Sequence, residues 1–177
     1  MRLHGRTAPL GLALCLALWP AQTALAARAA EKTISFGVIG LSGGAWEALQ
    51  SCEGELNVRM TPLTSDRFRR EEVPDLSVHD VILTSFGSGD LKSQYRQSLV
   101  AARQKKPDLP VFCVGPAPLH ASWNEWVGPG IVRYDPQMAQ YYGLSQKSMR
   151  DMILYTLITY CGRPGQVDPP GAGDMVK

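Results

Sequence analysis

The stretch DVILTSFGSGD, residues 80–90, decides the reading of this chain. Its first seven residues are almost continuously apolar and include the β-branched Val81, Ile82 and Thr84. A strand with one wet face alternates apolar and polar residues, whereas a strand covered on both faces does not. Residues 80–86 therefore predict a strand buried on both sides, stopped by Gly87, Ser88 and Gly89. Asp90 is placed to cap a helix over 91–105, where Tyr95, Leu99 and Ala102 recur at helical spacing.

The alternation of strand and helix extends in both directions. Upstream, residues 33–39 predict a strand ended by Gly40, the glycine-rich segment 40–44 a turn, and residues 45–52 a helix. A second strand follows over 56–63, then a charged loop in which Pro74 leaves room for only a short helix. Downstream, Pro107 and Pro110 end the helix of 91–105, and 111–115 is another apolar strand. Residues 116–130 carry prolines and glycines at their edges and two tryptophans, and predict a long loop. A short last strand is expected at 131–134, and a helix at 145–160 with Met149, Met152, Ile153 and Leu157 on one face. Gly162 and Pro164 terminate that helix, and the Pro/Gly-rich tail 164–177 is expected to be mobile. Strands that are apolar on both faces and alternate with helices predict a mostly parallel sheet in an α/β domain over 31–163. Right-handed crossovers then favour a flavodoxin-like (Rossmann-like) doubly wound order, 2-1-3-4-5, with the first and last helices on one face.

The amino terminus reads differently. Arg2 and Arg6 precede a short apolar run, Pro20 breaks it, and Ala24-Leu25-Ala26 supplies an A-x-A site. These are the parts of a cleavable export signal over 1–26, and the run is too short for a membrane anchor. A periplasmic or secreted location is expected. The chain has 18 basic and 16 acidic residues, so removal of the two leader arginines leaves equal numbers. Arg67, Arg69 and Arg70 are offset by Glu71, Glu72 and Asp75, so no nucleic-acid partner is expected. Beyond the leader the cysteines are Cys52, Cys113 and Cys161, without metal-ligand spacing, and Cys113 lies in an apolar run. Cys52 and Cys161 fall at the ends of the first and last helices, and an oxidising compartment would permit a disulfide between them. Two unpaired thiols are the alternative.

In a doubly wound fold, ligands sit beyond the carboxyl ends of the strands. Gly43 and Gly44 stand in the first strand-to-helix turn, where backbone N–H groups can face an anion, or where the glycines only make the turn. Ser85 and Ser88 lie in the turn after the central strand and can hold a phosphate or carboxylate, though Asp90 adds opposing charge. His120, Trp123 and Trp126 follow the strand at 111–115. They either line a cavity for a flat ligand, with His120 on a metal or carboxylate, or clamp their segment onto the domain. No G-x-S-x-G elbow is present, so a small hydrolase or transferase built on the 85–90 turn is the alternative to a binding domain.

Three segments, DVILTSFG, AARQKKPDLPVFCVGP and YYGLSQKSMRDMILYTL, follow one another between residues 80 and about 170. Their order resembles the N-terminal region of the large subunit of cobaltochelatase and magnesium chelatase, with Tyr142, Gly143 and residues 149–157 in the matching positions. Members of that family are very large cytoplasmic subunits that insert a metal into a tetrapyrrole with ATP-hydrolysing partners. Their catalytic residues fall mostly in regions without a counterpart here, so none is carried over. The resemblance implies an exported accessory domain, not an enzyme on its own. It would bind a tetrapyrrole, a corrinoid or a divalent metal, or a larger chelatase-like or transport protein.

Overall fold

Strand β1 (Ile34–Ile39) is flanked on both sides, and its burial follows from that. It pairs in parallel with β2 (Val58–Leu63) on one edge and with β3 (Val81–Thr84) on the other. Strands β4 (Val111–Cys113) and β5 (Arg133–Tyr134) extend the sheet, giving the parallel order β2-β1-β3-β4-β5. This is the flavodoxin-type doubly wound arrangement. The computed structural model describes residues 32–70, 73–143 and 145–170. The expected leader, 1–26, and the end of the tail lie outside them.

Every residue of β3 is buried, as its unbroken apolar run requires, and alternate side chains feed two cores. Phe36, Val38, Val81, Leu83, Phe112 and Val114 face one layer. That layer consists of α1 (Gly43–Gln50), α6 (Pro136–Tyr141) and α7 (Gln146–Tyr160). Met149, Met152, Ile153 and Leu157 of α7 close it together with Ala45, Ala48 and Leu49 of α1. The first and last long helices thus share a face. Ile39, Leu63, Ile82, Val111 and Cys113 face the other layer, formed by α3 (Ser65–Arg70), α4 (Lys92–Lys105) and α5 (Ala117–Val127). Phe68, Tyr95 and Trp123 fill its centre with rings 4.8 and 5.1 Å apart in succession. Each fully buried aliphatic or aromatic side chain contributes about 1.5–3 kcal/mol. A short helix, α2 (Glu53–Leu56), links α1 to β2.

Several expectations are corrected. Residues 116–130 are not a loop, because Pro116 is the N-cap of α5 and Pro118 lies within its first turn. Proline is compatible with the start of a helix because no intrahelical acceptor exists for its missing N–H there. Gly128, at φ +100°, ends the helix. The same start signal produced α6, where Asp135 caps and Pro136 follows; its Oδ1 accepts from Gln137 N at 2.8 Å and Met138 N at 3.1 Å.

Asp90 does not cap α4. It sits inside a 3₁₀ turn, Gly89–Leu91, where it accepts from the Ser88 hydroxyl and pairs with Arg69 at 3.0 Å. No disulfide joins Cys52 to Cys161 in the structure, although both pack against the α1/α7 core. Cys52 Sγ instead donates to Ala48 O at 3.3 Å, and burial raises its pKa and keeps it a thiol. The described start of the tail is docked. Arg163 donates to the carbonyls of Leu56 and Asn57, Val167 packs on the core, and Tyr141 Oη donates to Asp168 O at 2.8 Å.

Candidate functional site

The carboxyl ends of β1, β2 and β3 open into a cleft of about 320 Å³. It lies where the chain leaves β1 toward one side of the sheet and β3 toward the other, the switch point of a doubly wound fold. Its walls are Gly40, Leu41 and Ser42 after β1, Thr64 and Ser65 after β2, and Phe86 after β3. Gly40 holds φ +78°, and a side chain there would overlap the Phe86 carbonyl, so the two turns interlock through a glycine. Phe86 itself is 64% exposed, one of the few large apolar side chains left in solvent among the described residues.

The polar side of the cleft comes from the start of α1. Ser42 is the extended N-cap of that helix, yet its hydroxyl makes no capping bond, and no acidic residue lies in the first turn. The N–H groups there lack the side-chain acceptor that usually satisfies them. Gly43 and Gly44 follow, and the space a Cβ would occupy at either is open. Across the cleft, Thr64 Oγ1 is engaged by Arg67 N at 3.4 Å.

The sequence-predicted residues fall into separate places. Ser85 has no exposed surface. Its Oγ lies 3.3 Å from Tyr142 Oη, its N–H donates to Ile39 O at 2.8 Å, and its carbonyl accepts from Trp123 Nε1 at 2.7 Å. Ser88 is turned away from the cleft, its hydroxyl on Asp90 and its N–H on Tyr95 Oη at 3.3 Å. The Ser88 hydroxyl, and then Arg69, hold the Asp90 carboxyl below its ordinary value.

Trp123 is completely buried and has no surface with which to touch a ligand. A Cβ at Gly87 would fall 2.7 Å from Trp126 Cζ3, 3.1 Å from Trp123 Cζ2 and 3.2 Å from Tyr95 Cε2. The tryptophans thus brace the turn after β3 from behind. Trp126 is half-buried, with Lys92 Nζ 5.5 Å from its ring centroid. His120 faces β5, stacked on Tyr134 at 5.4 Å with Nε2 3.0 Å from Val132 O. His120 and Trp126 keep part of their surface in solvent, whereas Trp123 does not.

Thr64 and Ser65 escape the sequence reading, while Gly40, Ser42 and Phe86 lie in the two turns it singles out without being named there as contacts. Phe86 carried a signal in being a large apolar residue placed past the end of a buried strand, immediately before a glycine. A second depression, about 370 Å³, lies at the ends of β4 and β5 between Gly115, Pro116, Tyr134, Pro136 and Tyr142. Asp135, between the lining residues Tyr134 and Pro136 in the chain, is buried. Burial pushes this carboxyl up, but bonds from Tyr160, Met138, Tyr155 and Gln137 outweigh that and bring it below its ordinary value. With four donors satisfied, it has little left to offer a ligand or a proton.

The described residues contain no group of three or more His, Cys, Asp or Glu able to hold a metal. None of their helices is long and apolar enough to cross a membrane. A serine–histidine pair does occur, Ser35 Oγ to His79 Nδ1 at 3.0 Å, but at the amino-terminal end of the strands, opposite the cleft. Comparison with family models, curated proteins and solved structures finds no significant match to the chain.

Proposed function

We propose that this chain is an exported accessory domain that binds one edge of a flat, carboxylate-bearing ligand of the tetrapyrrole or corrinoid class. It would act with a larger chelatase-like or transport protein rather than catalyse a reaction alone. The observation that carries the reading is Phe86, exposed over a cleft at the switch point of the sheet. An aromatic ring left in water beside a concavity is suited to stacking a planar ligand. The open first turn of α1, with Ser42 as an unused hydroxyl, suits the carboxylate.

Size limits the reading to partial engulfment. Pockets that enclose a drug-sized ligand span roughly 300–1,000 Å³, so a cleft of about 320 Å³ takes one edge of a macrocycle and leaves the rest for a partner. The ligand class itself comes from the resemblance of residues 80–170 to chelatase large subunits. Against Ser85 as the nucleophile of the hydrolase alternative, its Oγ is enclosed and faces Tyr142 rather than a base.

The test is a titration of the purified protein with haem, cobalamin and cobalt-free corrinoid, followed by tryptophan quenching and the ligand's visible bands. Saturable one-to-one binding to any of them, weakened by Phe86→Ala, supports the assignment. Absence of binding by all three removes the tetrapyrrole class.

A further inference from the structure

The amino-terminal end of the sheet holds a histidine that the ligand site does not use. His79, in the turn before β3, is 4% exposed. Its Nδ1 is bonded to Ser35 Oγ, and its Nε2 is buried without a hydrogen-bond partner. Three side chains converge above Gly37 of β1. A Cβ there would lie 2.8 Å from His79 Cδ2, 2.7 Å from Ile82 Cδ1 and 2.9 Å from Leu63 Cδ1. The imidazole shares with the Ile82 and Leu63 side chains the volume that Gly37 leaves empty.

We propose that His79 is an acid-sensitive latch, which holds the 76–80 turn on β1 while neutral and releases it when doubly protonated. A neutral imidazole suits the site, because one nitrogen serves Ser35 and the other can be the bare acceptor. An imidazolium carries hydrogen on both nitrogens, and the second would be buried with no acceptor in reach.

The surrounding charges do not rescue it. Arg67 of α3 and Lys106, just after α4, oppose protonation. Asp80 and Asp75 favour it, but Lys106 Nζ lies 3.6 Å from Asp80 Oδ1, and Lys105 Nζ holds Asp75 at 2.8 Å. Burial, then Arg67, leaves the imidazole below its ordinary value, in agreement with the geometry.

What the latch holds is also defined. Asp80 N donates to Ser35 O at 2.8 Å, Ser35 N to Asp80 Oδ2 at 3.0 Å, and Lys106 Nζ to His79 O at 2.8 Å. Leu76, at the start of the turn, is fully buried, whereas Val73 and Val78 beside it are already exposed. Release would join these into one apolar surface in an acidified compartment. This inference does not depend on the ligand reading.

The experiment is amide exchange resolved by NMR, with a parallel titration of the His79 ring resonances, from pH 7.5 to 5 on the full chain. Corrected for intrinsic rates, protection at Ser35 and Asp80 should fall by up to about tenfold per pH unit below pH 6.5, as one coupled proton requires. Protection within β3 at Leu83 should not follow it. His79→Phe should abolish the pH response at Ser35 and Asp80. If that variant does not fold, the ring titration of the parent protein decides. A His79 that titrates at or above pH 6.5, flat protection at Asp80, or an unchanged acid response in His79→Phe would each overturn the latch.

Discussion

The two rims of the sheet treat polar groups in opposite ways. At the carboxyl-terminal rim, Ser42 has an unused hydroxyl, the start of α1 is uncapped by a side chain, and Phe86 stands in solvent. At the amino-terminal rim, Ser35, His79 and Asp80 are folded into contacts with one another and with Lys106. Parallel strands impose this division. All the strand-to-helix turns that carry forward-pointing N–H groups gather at one end, and a doubly wound order parts them in the middle. The open rim leaves an aromatic ring and an uncapped helix start facing solvent, and the sealed rim buries its histidine.

Removing the brace behind the open rim should have the largest effect. Trp123→Ala leaves a cavity among Phe68, Tyr95 and Val127 and strips the donor from Ser85 O. It should cost about 3–5 kcal/mol, read as a fall in thermal midpoint of roughly 10–20 °C. Trp123→Phe, which keeps the ring packing but loses the bond, should cost about 1–3 kcal/mol.

Gly40→Ala attacks the interlock between the two turns directly. A residue forced to hold φ +78° costs roughly 1–3 kcal/mol, and here the Phe86 carbonyl must also move. The expected result is a less stable protein with a distorted cleft, seen as a shifted Phe86 ring environment by NMR. An unchanged spectrum would break the claim that the turns are coupled.

Asp135→Ala tests whether the β5 side of the same rim is closed. Loss of the cap on α6 should cost about 0.5–2 kcal/mol, with the Tyr155 and Tyr160 hydroxyl bonds lost as well. Because the folded carboxyl lies below its unfolded value of about 3.9, its contribution is complete above that pH. It is lost as pH falls through the folded value. Denaturant midpoints of parent and variant should therefore differ at pH 6 and converge in strong acid.

Phe86→Ala should change stability least. An exposed side chain away from special backbone geometry usually alters it by under about 0.5 kcal/mol, so any loss of binding in this variant reports the cleft and not the fold.

Much of this organisation was legible in the sequence, for a physical reason. Parallel strands under two layers of helices must be apolar on both faces, and residues 80–86 and 111–115 announce that without ambiguity. What was misread depended on tertiary context. Pro116 and Pro118 look like loop residues until they are recognised as a helix start, after which Leu119, Trp123 and Val127 fall four residues apart on one buried face. His79, next to Asp80 at the start of a strand, reads from sequence as a strand-edge residue, and only the fold shows that Gly37 on a neighbouring strand leaves space for its ring. The rule that ligands gather at strand ends directs attention to the rim on which the structure opens a cleft, whereas Thr64 and Ser65 go unnamed in the sequence reading, because which turns face one another is set by the strand order.

The most direct test of the open rim compares two variants in one ligand titration. Phe86→Ala and His120→Ala are matched against the parent protein with haem and the corrinoids. Phe86→Ala should weaken binding at least about tenfold while His120→Ala leaves it unchanged, because Phe86 faces the cleft and His120 is turned toward Val132 and Tyr134. Binding that survives Phe86→Ala and fails with His120→Ala would place the ligand on α5 and contradict the account.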